Sequence, residues 1–196
     1  GDIGFAAGLG RLRAALTGEF DRTDGAVARD LARFYLAHGF GAEALNALAL
    51  AGEKTAEAEI LASIAHILER GHDPLPSPFA GQEDCDTAAA LWSVLAASAL
   101  APGAAPEGPA ILRSLNALPR EIRDHIGTLL AERFVDADMP EMSRAVLRIL
   151  DRDGSGPEER QQLVAARLEL DQGDAEAARE VVEETAEDSK EDKSLD

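Results

Sequence analysis

The stretch 31–48 constrains the fold of this chain more than any other part of the sequence. Apolar side chains before Gly39 fall on one face of a helix, and those after it fall on one face of a second helix. Gly39 separates the two at a point where a left-handed backbone ends a helix at little steric cost. The pattern predicts two antiparallel helices joined by a tight turn.

The same spacing recurs twice further along the chain. In the first unit the seven positions that carry it are Leu31, Ala32, Tyr35, Gly39, Ala44, Leu48 and Ala51. In the second unit they are Leu130, Ala131, Phe134, Asp138, Ser143, Leu147 and Leu150. In the third they are Ala165, Ala166, Glu169, Gly173, Ala178, Val182 and Thr185. We expect the small residues at the second and fifth positions to let the paired helices approach closely.

This pattern resembles the tetratricopeptide repeat (TPR), a helix–turn–helix unit of about 34 residues. The first unit matches best, whereas Asp138 replaces the turn glycine of the second and Glu169 an aromatic residue of the third. None of the units has the aromatic residue near its start or the proline at its end that the family usually carries. The units begin at residues 31, 130 and 165, which leaves room for two degenerate units. The resemblance implies an all-α fold of antiparallel helical hairpins, a TPR-like α-solenoid with a degenerate, loop-interrupted centre.

Another α-solenoid or an irregular helical bundle is the alternative, and no run of alternating β-branched residues favours a sheet. We expect one helical-repeat domain over 1–187, with loops at about 72–84 and 101–109 where prolines and glycines cluster. Residues 188–196 are charged and polar, and we expect a disordered tail there. Further helices are predicted over 5–16, 56–69, 86–100, 110–117, 141–150, 158–171 and 174–187, and from Pro119 onward.

Local signals refine these boundaries. Thr55 is a plausible N-cap for the helix at 56–69, and Gly71 ends it. Asp138 to Glu141 has the form of a capping box, which predicts a helix start. Downstream of Pro119 the apolar side chains fall on one helical face, at Ile122, Ile126, Leu129, Leu130 and Phe134.

Composition excludes several classes of function. The formal net charge of −18 argues against nucleic-acid binding, which needs clustered Lys and Arg. No apolar run approaches the roughly 20 residues of a membrane span. A single cysteine, Cys85, excludes an internal disulfide framework and a cysteine-rich zinc site. The sequence does not indicate the cellular compartment.

Candidate metal and catalytic motifs are weak. The stretch from Asp151 to Gln162 resembles an EF-hand loop, but Gln162 lacks the bidentate carboxylate that completes such a site. An inter-repeat turn explains the stretch fully. His66, Glu69, His72 and Asp73 form a His/acid cluster without an evident further ligand. No catalytic motif is present, so we expect neither an enzyme nor a cofactor or metal.

The leading functional hypothesis is a protein–protein interaction module or scaffold. In TPR-like arrays the first helices of successive hairpins line a concave groove. The resemblance places in it Arg29, Arg33, Leu36, His125, Thr128, Glu132, Arg160, Leu163, Arg167 and Leu170. Four arginines suit acidic or C-terminal peptide segments, because guanidinium pairs with two carboxylate oxygens at once. An equally weighted alternative is that these arginines are solvated and make i,i+4 pairs with helix acids such as Glu132 or Glu169.

The second hypothesis is a structural or self-associating regulatory domain cut from a larger protein, with no separate ligand. A homodimer is compatible with it, and Trp92 is a candidate dimer contact, although core packing is the preferred interpretation of its apolar helix.

Overall fold

The computed structural model describes residues 2–16, 23–52, 54–153, 159–171, 173 and 178. Over these residues the fold is all-α, as predicted. The nine helices are α1 (Asp2–Leu16), α2 (Gly25–Leu36), α3 (Gly41–Ala51), α4 (Ala56–Arg70), α5 (Ala88–Ala96), α6 (Gly108–Asn116), α7 (Arg120–Asp136), α8 (Pro140–Leu150) and α9 (Glu159–Asp171). The predicted helix over 174–187 and the tail lie outside the described residues, apart from Ala178, which is buried.

The three aligned turn positions share a left-handed backbone, with φ of 78° at Gly39, 57° at Asp138 and 85° at Gly173. Among the described residues, Asp138 is the one non-glycine residue with positive φ, a conformation that Asp tolerates better than most residues. Because Asp138 makes this turn, the predicted capping box is wrong. Met139 occupies the N-cap position of α8, where its side chain makes no capping hydrogen bond. Pro140 is the first residue of the helix.

The hydrogen bonds of the first two turns also match. The amide nitrogen of Phe40 donates to the carbonyl oxygen of Tyr35 at 3.0 Å, and that of Met139 donates to Phe134 at 2.8 Å. In both cases a residue beyond the helix returns to its last turn and satisfies a free carbonyl. Two hairpins with aligned sequences therefore have the same turn geometry.

Small residues let the helices of each hairpin touch, as the sequence predicts. Ala32 and Ala44 are fully buried between α2 and α3, and Ala131 and Ser143 are fully buried between α7 and α8. The Ser143 hydroxyl donates to the carbonyl oxygen of Ala131 at 3.0 Å. The side chain of Ser143 is therefore small enough to allow close packing and also has its hydrogen bond satisfied.

A third helix follows each hairpin and packs against both of its members. Helix α4 contacts α3 and α2, and α9 contacts α7 and α8. Helices α5 and α6 lie between these two units in the sequence, and α7 packs against both of them as well as against α8 and α9. The arrangement of the units as a solenoid stays a prediction.

Helix α4 has the predicted caps. The Thr55 hydroxyl accepts a hydrogen bond from the amide nitrogen of Ala58 at 3.2 Å, and Gly71 ends the helix in a left-handed conformation with φ of 73°. Helix α5 is shorter than predicted, because Thr87 caps its start and the backbone turns extended at Ala97. Irregular backbone spans 71–87, called here the α4–α5 segment, and 97–107, the α5–α6 segment.

The α4–α5 segment is anchored on the core. Phe79 is buried, and its ring lies 6.3 Å from that of Trp92, centroid to centroid, in a stacked arrangement. Trp92 is partly buried and packs against the core, which confirms the core-packing interpretation. The Ser77 hydroxyl bonds to that of Ser63 on α4 at 2.9 Å.

Helix α7 is enclosed on more sides than its single predicted apolar face indicates. Arg133 is only 9% exposed, and its guanidinium donates to the main-chain oxygens of Ala97 and, at 2.9 Å, Gly71. These oxygens lie at the C-terminal ends of α5 and α4, where free carbonyls are partly negative. Burial lowers the pKa of Arg133, opposed by the charges of Asp136 and Glu132. The side chain stays cationic and holds three helices together.

No helix in the described ranges combines the length and apolar character needed to cross a bilayer.

Candidate binding surface

Four side chains of α9 form an exposed line, which we call the α9 stripe: Arg160, Leu163, Arg167 and Leu170. Their spacing of three and four residues puts them on one face of the helix. Leu163 is 53% exposed and Leu170 56%, and the side chains of Arg160 and Arg167 are 55% and 53% exposed. The opposite face of α9 is buried. The stripe therefore presents alternating positive and apolar groups.

Acidic side chains of α7 position the arginines of the stripe. Arg160 binds Glu132 with two hydrogen bonds, from Nε at 2.7 Å and from Nη2 at 2.8 Å. The Glu132 hydrogen bonds raise the pKa of Arg160 although partial burial opposes them. Arg167 Nη1 lies 2.7 Å from Asp136 Oδ1. A carboxylate arriving from outside would therefore compete with acids of the chain itself.

A second set of ion pairs joins α2 to α4. Arg33 Nη1 lies 2.5 Å from Asp30 Oδ1, and its Nη2 binds Glu57. Arg29 Nε lies 3.9 Å from the other oxygen of Glu57. The hydrogen bond to Glu57 is the main cause that raises the pKa of Arg33. Two arginines thus share one carboxylate.

Two residues predicted to line the groove are not on an open surface. Leu36 is 7% exposed and Thr128 is 4% exposed. The Thr128 hydroxyl donates to the carbonyl oxygen of Asp124 at 3.0 Å, within α7. Both belong to the interior, because their helices are packed on more than one side.

His125 is exposed on α7 but is engaged in a structural contact. Its Nε2 lies 3.0 Å from the main-chain oxygen of Leu68, near the end of α4. A carbonyl only accepts hydrogen bonds, so Nε2 carries the proton.

The α2/α4 ion pairs and the His125 contact lie far apart along α4. Glu57 and Leu68 are eleven residues apart on this helix, a rise of about 16 Å. Whether the α2/α4 ion pairs and the α9 stripe share one groove stays a prediction.

Sequence reasoning placed the arginines and Glu132 together but missed Glu57 and Asp136 as partners. The sequence carried no signal for Asp136, because the packing of α7 on α9 belongs to the tertiary structure.

The predicted His/acid cluster does not assemble. Glu69 accepts a hydrogen bond from the amide nitrogen of Ala42 at 2.9 Å, at the start of α3, and His72 Nδ1 bonds to the main-chain oxygen of Arg70 at 3.2 Å. The described residues contain no group of three or more His, Cys, Asp or Glu side chains that could hold a metal ion. In the EF-hand-like stretch, 151–153 form a 3₁₀ turn, and 154–158 lie outside the described residues.

A cavity of about 670 Å³ lies between the α4–α5 and α5–α6 segments. Alanine, serine and proline make up most of its wall. The acids that line it are Asp73 and Glu83, and His72 is its one basic side chain among the described residues. No sequence motif marked this cavity, because two irregular segments form it.

No protein-family model, curated protein or solved structure matches this chain.

Proposed function

We propose that this protein is a non-catalytic interaction module and that its α9 stripe binds an acidic segment of a partner protein that also carries apolar residues. One observation carries the proposal: two arginines and two leucines share one face of α9, and each is more than half exposed. Exposing leucine side chains to water to that extent is unfavourable, and a partner that covered them would remove that free-energy cost.

The chemistry of the stripe defines the ligand. Arginine presents a planar fork that fits a carboxylate with two parallel hydrogen bonds. Covering the exposed half of each leucine would contribute roughly 1 kcal/mol. The arginines would contribute less, because a ligand carboxylate must replace Glu132 or Asp136 and exposed ion pairs are each worth about 0–1 kcal/mol. Binding should therefore be moderate in strength and sensitive to salt.

The resemblance to TPR units supports the same surface. In such arrays the first helices face the ligand, and α7 and α9 are the first helices of the second and third units. The matching turns at Gly39, Asp138 and Gly173 support that assignment of helices. A self-associating domain without a separate ligand is the other candidate, and sedimentation of the protein alone would detect it.

The test uses two fluorescein-labelled peptides. One carries glutamate and leucine at helical spacing, and the other has lysine in place of glutamate. Fluorescence anisotropy should show saturable binding of the glutamate peptide, weakening as salt is raised, and no binding of the lysine peptide. The double variant Arg160→Glu with Arg167→Glu should abolish binding, and Leu163→Ala with Leu170→Ala should weaken it about tenfold, the equivalent of about 1.4 kcal/mol.

Arg113→Glu is the matched control. Arg113 is also an exposed helical arginine paired with an acid, Asp86, but it lies on α6, away from the stripe. Its reversal should leave the affinity unchanged. If the double reversal on α9 binds the glutamate peptide as well as wild type does, the stripe is not the binding surface.

A further inference from the structure

We propose that the cavity between the α4–α5 and α5–α6 segments binds a small aliphatic amine as its ammonium ion. This inference does not depend on the α9 stripe. Its volume of about 670 Å³ falls within the roughly 300–1,000 Å³ of small-molecule sites. The class of ligand follows from the charge, the polarity and the shape of the wall.

Two carboxylates face the cavity, and the protein orients each of them. Asp73 Oδ1 accepts a hydrogen bond from the amide nitrogen of Leu75 at 3.1 Å. Glu83 Oε2 accepts one from the hydroxyl of Ser93 at 3.2 Å. Each hydrogen bond uses one oxygen of its carboxylate. The bond also fixes the orientation of the second oxygen of that carboxylate. An ammonium group, with three donors and no acceptor, matches such oxygens.

The helix ends at the cavity add no net negative charge, because Arg133 binds their carbonyls. Helices α4 and α5 both end where the cavity begins, and helix C-termini carry partial negative charge. Arg133 acts in the opposite sense, since it binds carbonyls in the same region. Arg133 is not among the lining residues, however, and the charges of Asp136 and Glu132 act on it. The charged groups that line the cavity are therefore Asp73 and Glu83, with His72 as its one basic side chain among the described residues.

The rest of the cavity lining favours a ligand with an aliphatic chain. It consists mostly of alanine, proline and serine, with Leu75 and Leu100, and it contains no Phe, Tyr or Trp side chain among the described residues. Quaternary ammonium ions are bound by aromatic cages, which this wall does not offer. A primary amine with a short alkyl chain places its ammonium on Asp73 or Glu83 and its chain against the alanines. Anionic ligands are disfavoured.

The test compares three probes of equal chain length: hexylamine, hexanol and hexanoate. Isothermal titration calorimetry of the full chain should show saturable binding of hexylamine, much weaker binding of hexanol and none of hexanoate. Glu83→Gln and Asp73→Asn keep the acceptor oxygens that hold Ser93 and Leu75 but remove the charge. Each should weaken hexylamine binding about tenfold or more.

Asp84→Asn is the matched control, since it removes one charge from the same segment outside the lining, and it should bind hexylamine as wild type does. Ala97→Leu fills part of the cavity and should abolish binding while circular dichroism stays helical. The α9 double reversal should leave hexylamine binding intact, so failure of one proposal does not decide the other. Equal affinity for hexanol and hexylamine, or full affinity in Glu83→Gln and Asp73→Asn, would overturn the inference.

Discussion

Replacing Arg133 with methionine should lower the free energy of unfolding by about 2–4 kcal/mol. The substitution keeps much of the side-chain volume but removes both donors to the main-chain oxygens of Ala97 and Gly71. Two partly buried carbonyls then lose their partners at the ends of α5 and α4. In thermal denaturation followed by circular dichroism, the midpoint should fall by about 5–15 °C.

Two further variants make this prediction specific. Arg133→Lys keeps the charge but lacks the planar fork that reaches two carbonyls, so its loss should be intermediate. Arg113→Met removes an exposed arginine that pairs with Asp86, and should change the free energy of unfolding by less than about 1 kcal/mol. If Arg133→Met has the same melting midpoint as Arg113→Met, Arg133 does not hold the three helices together.

Replacing Gly41 with alanine should also destabilise the protein, by about 1–3 kcal/mol. A Cβ at Gly41 would lie 2.6 Å from the main-chain oxygen of Ala65 and 2.8 Å from Cγ of Glu69. The carbonyl cannot rotate away as a side chain could, so α3 and α4 must separate. That movement also weakens the hydrogen bond from the Ala42 amide to Glu69.

Gly10→Ala is the control, and its effect should have the opposite sign. Gly10 lies in α1, and an added Cβ there meets nothing within 4 Å. Alanine should stabilise this position by about 0.4–1 kcal/mol, because it reduces the entropy of the unfolded chain. Urea denaturation of both variants measures the contrast. A Gly41→Ala protein as stable as wild type would show that α3 and α4 do not approach as closely as described.

The repeated hairpin is the part of the fold that sequence predicts best. The offsets aligned Asp138 with Gly39, and the backbone at Asp138 is left-handed although it is not glycine. Small residues at matching offsets likewise predicted the contact between Ser143 and Ala131. These features are local, since a few neighbouring residues determine each turn and each close approach.

The surroundings of α7 could not be predicted in the same way. Thr128 and Arg133 are polar, and periodicity places polar residues of a helix toward solvent. Both are buried, because α5, α6, α8 and α9 all pack on α7, and only tertiary structure supplies those neighbours. The cavity at Asp73 and Glu83 was missed for a related reason. It lies between two irregular segments that carry no periodic signal.

The candidate surface was predicted in part. Arg160, Leu163, Arg167 and Leu170 do share an exposed face, whereas Leu36 and Thr128 are buried. Arg160 does pair with Glu132, as in the alternative interpretation, but the pair joins α9 to α7 instead of lying four residues apart on one helix. That pairing bears directly on the proposed function, because it places a competitor next to the arginine that a ligand would use.

The most direct test of the proposed function is therefore the affinity of Glu132→Gln for the glutamate peptide. Removing the Glu132 charge frees Arg160, so the peptide should bind roughly two- to fivefold more tightly than to wild type, the equivalent of an exposed ion pair. Glu141→Gln is the matched control: it removes the same charge, but Glu141 pairs with Arg144 on α8 and not with an arginine of the stripe. The account predicts tighter binding for Glu132→Gln and little change for Glu141→Gln. Equal effects of the two variants, or weaker binding to Glu132→Gln, would contradict it.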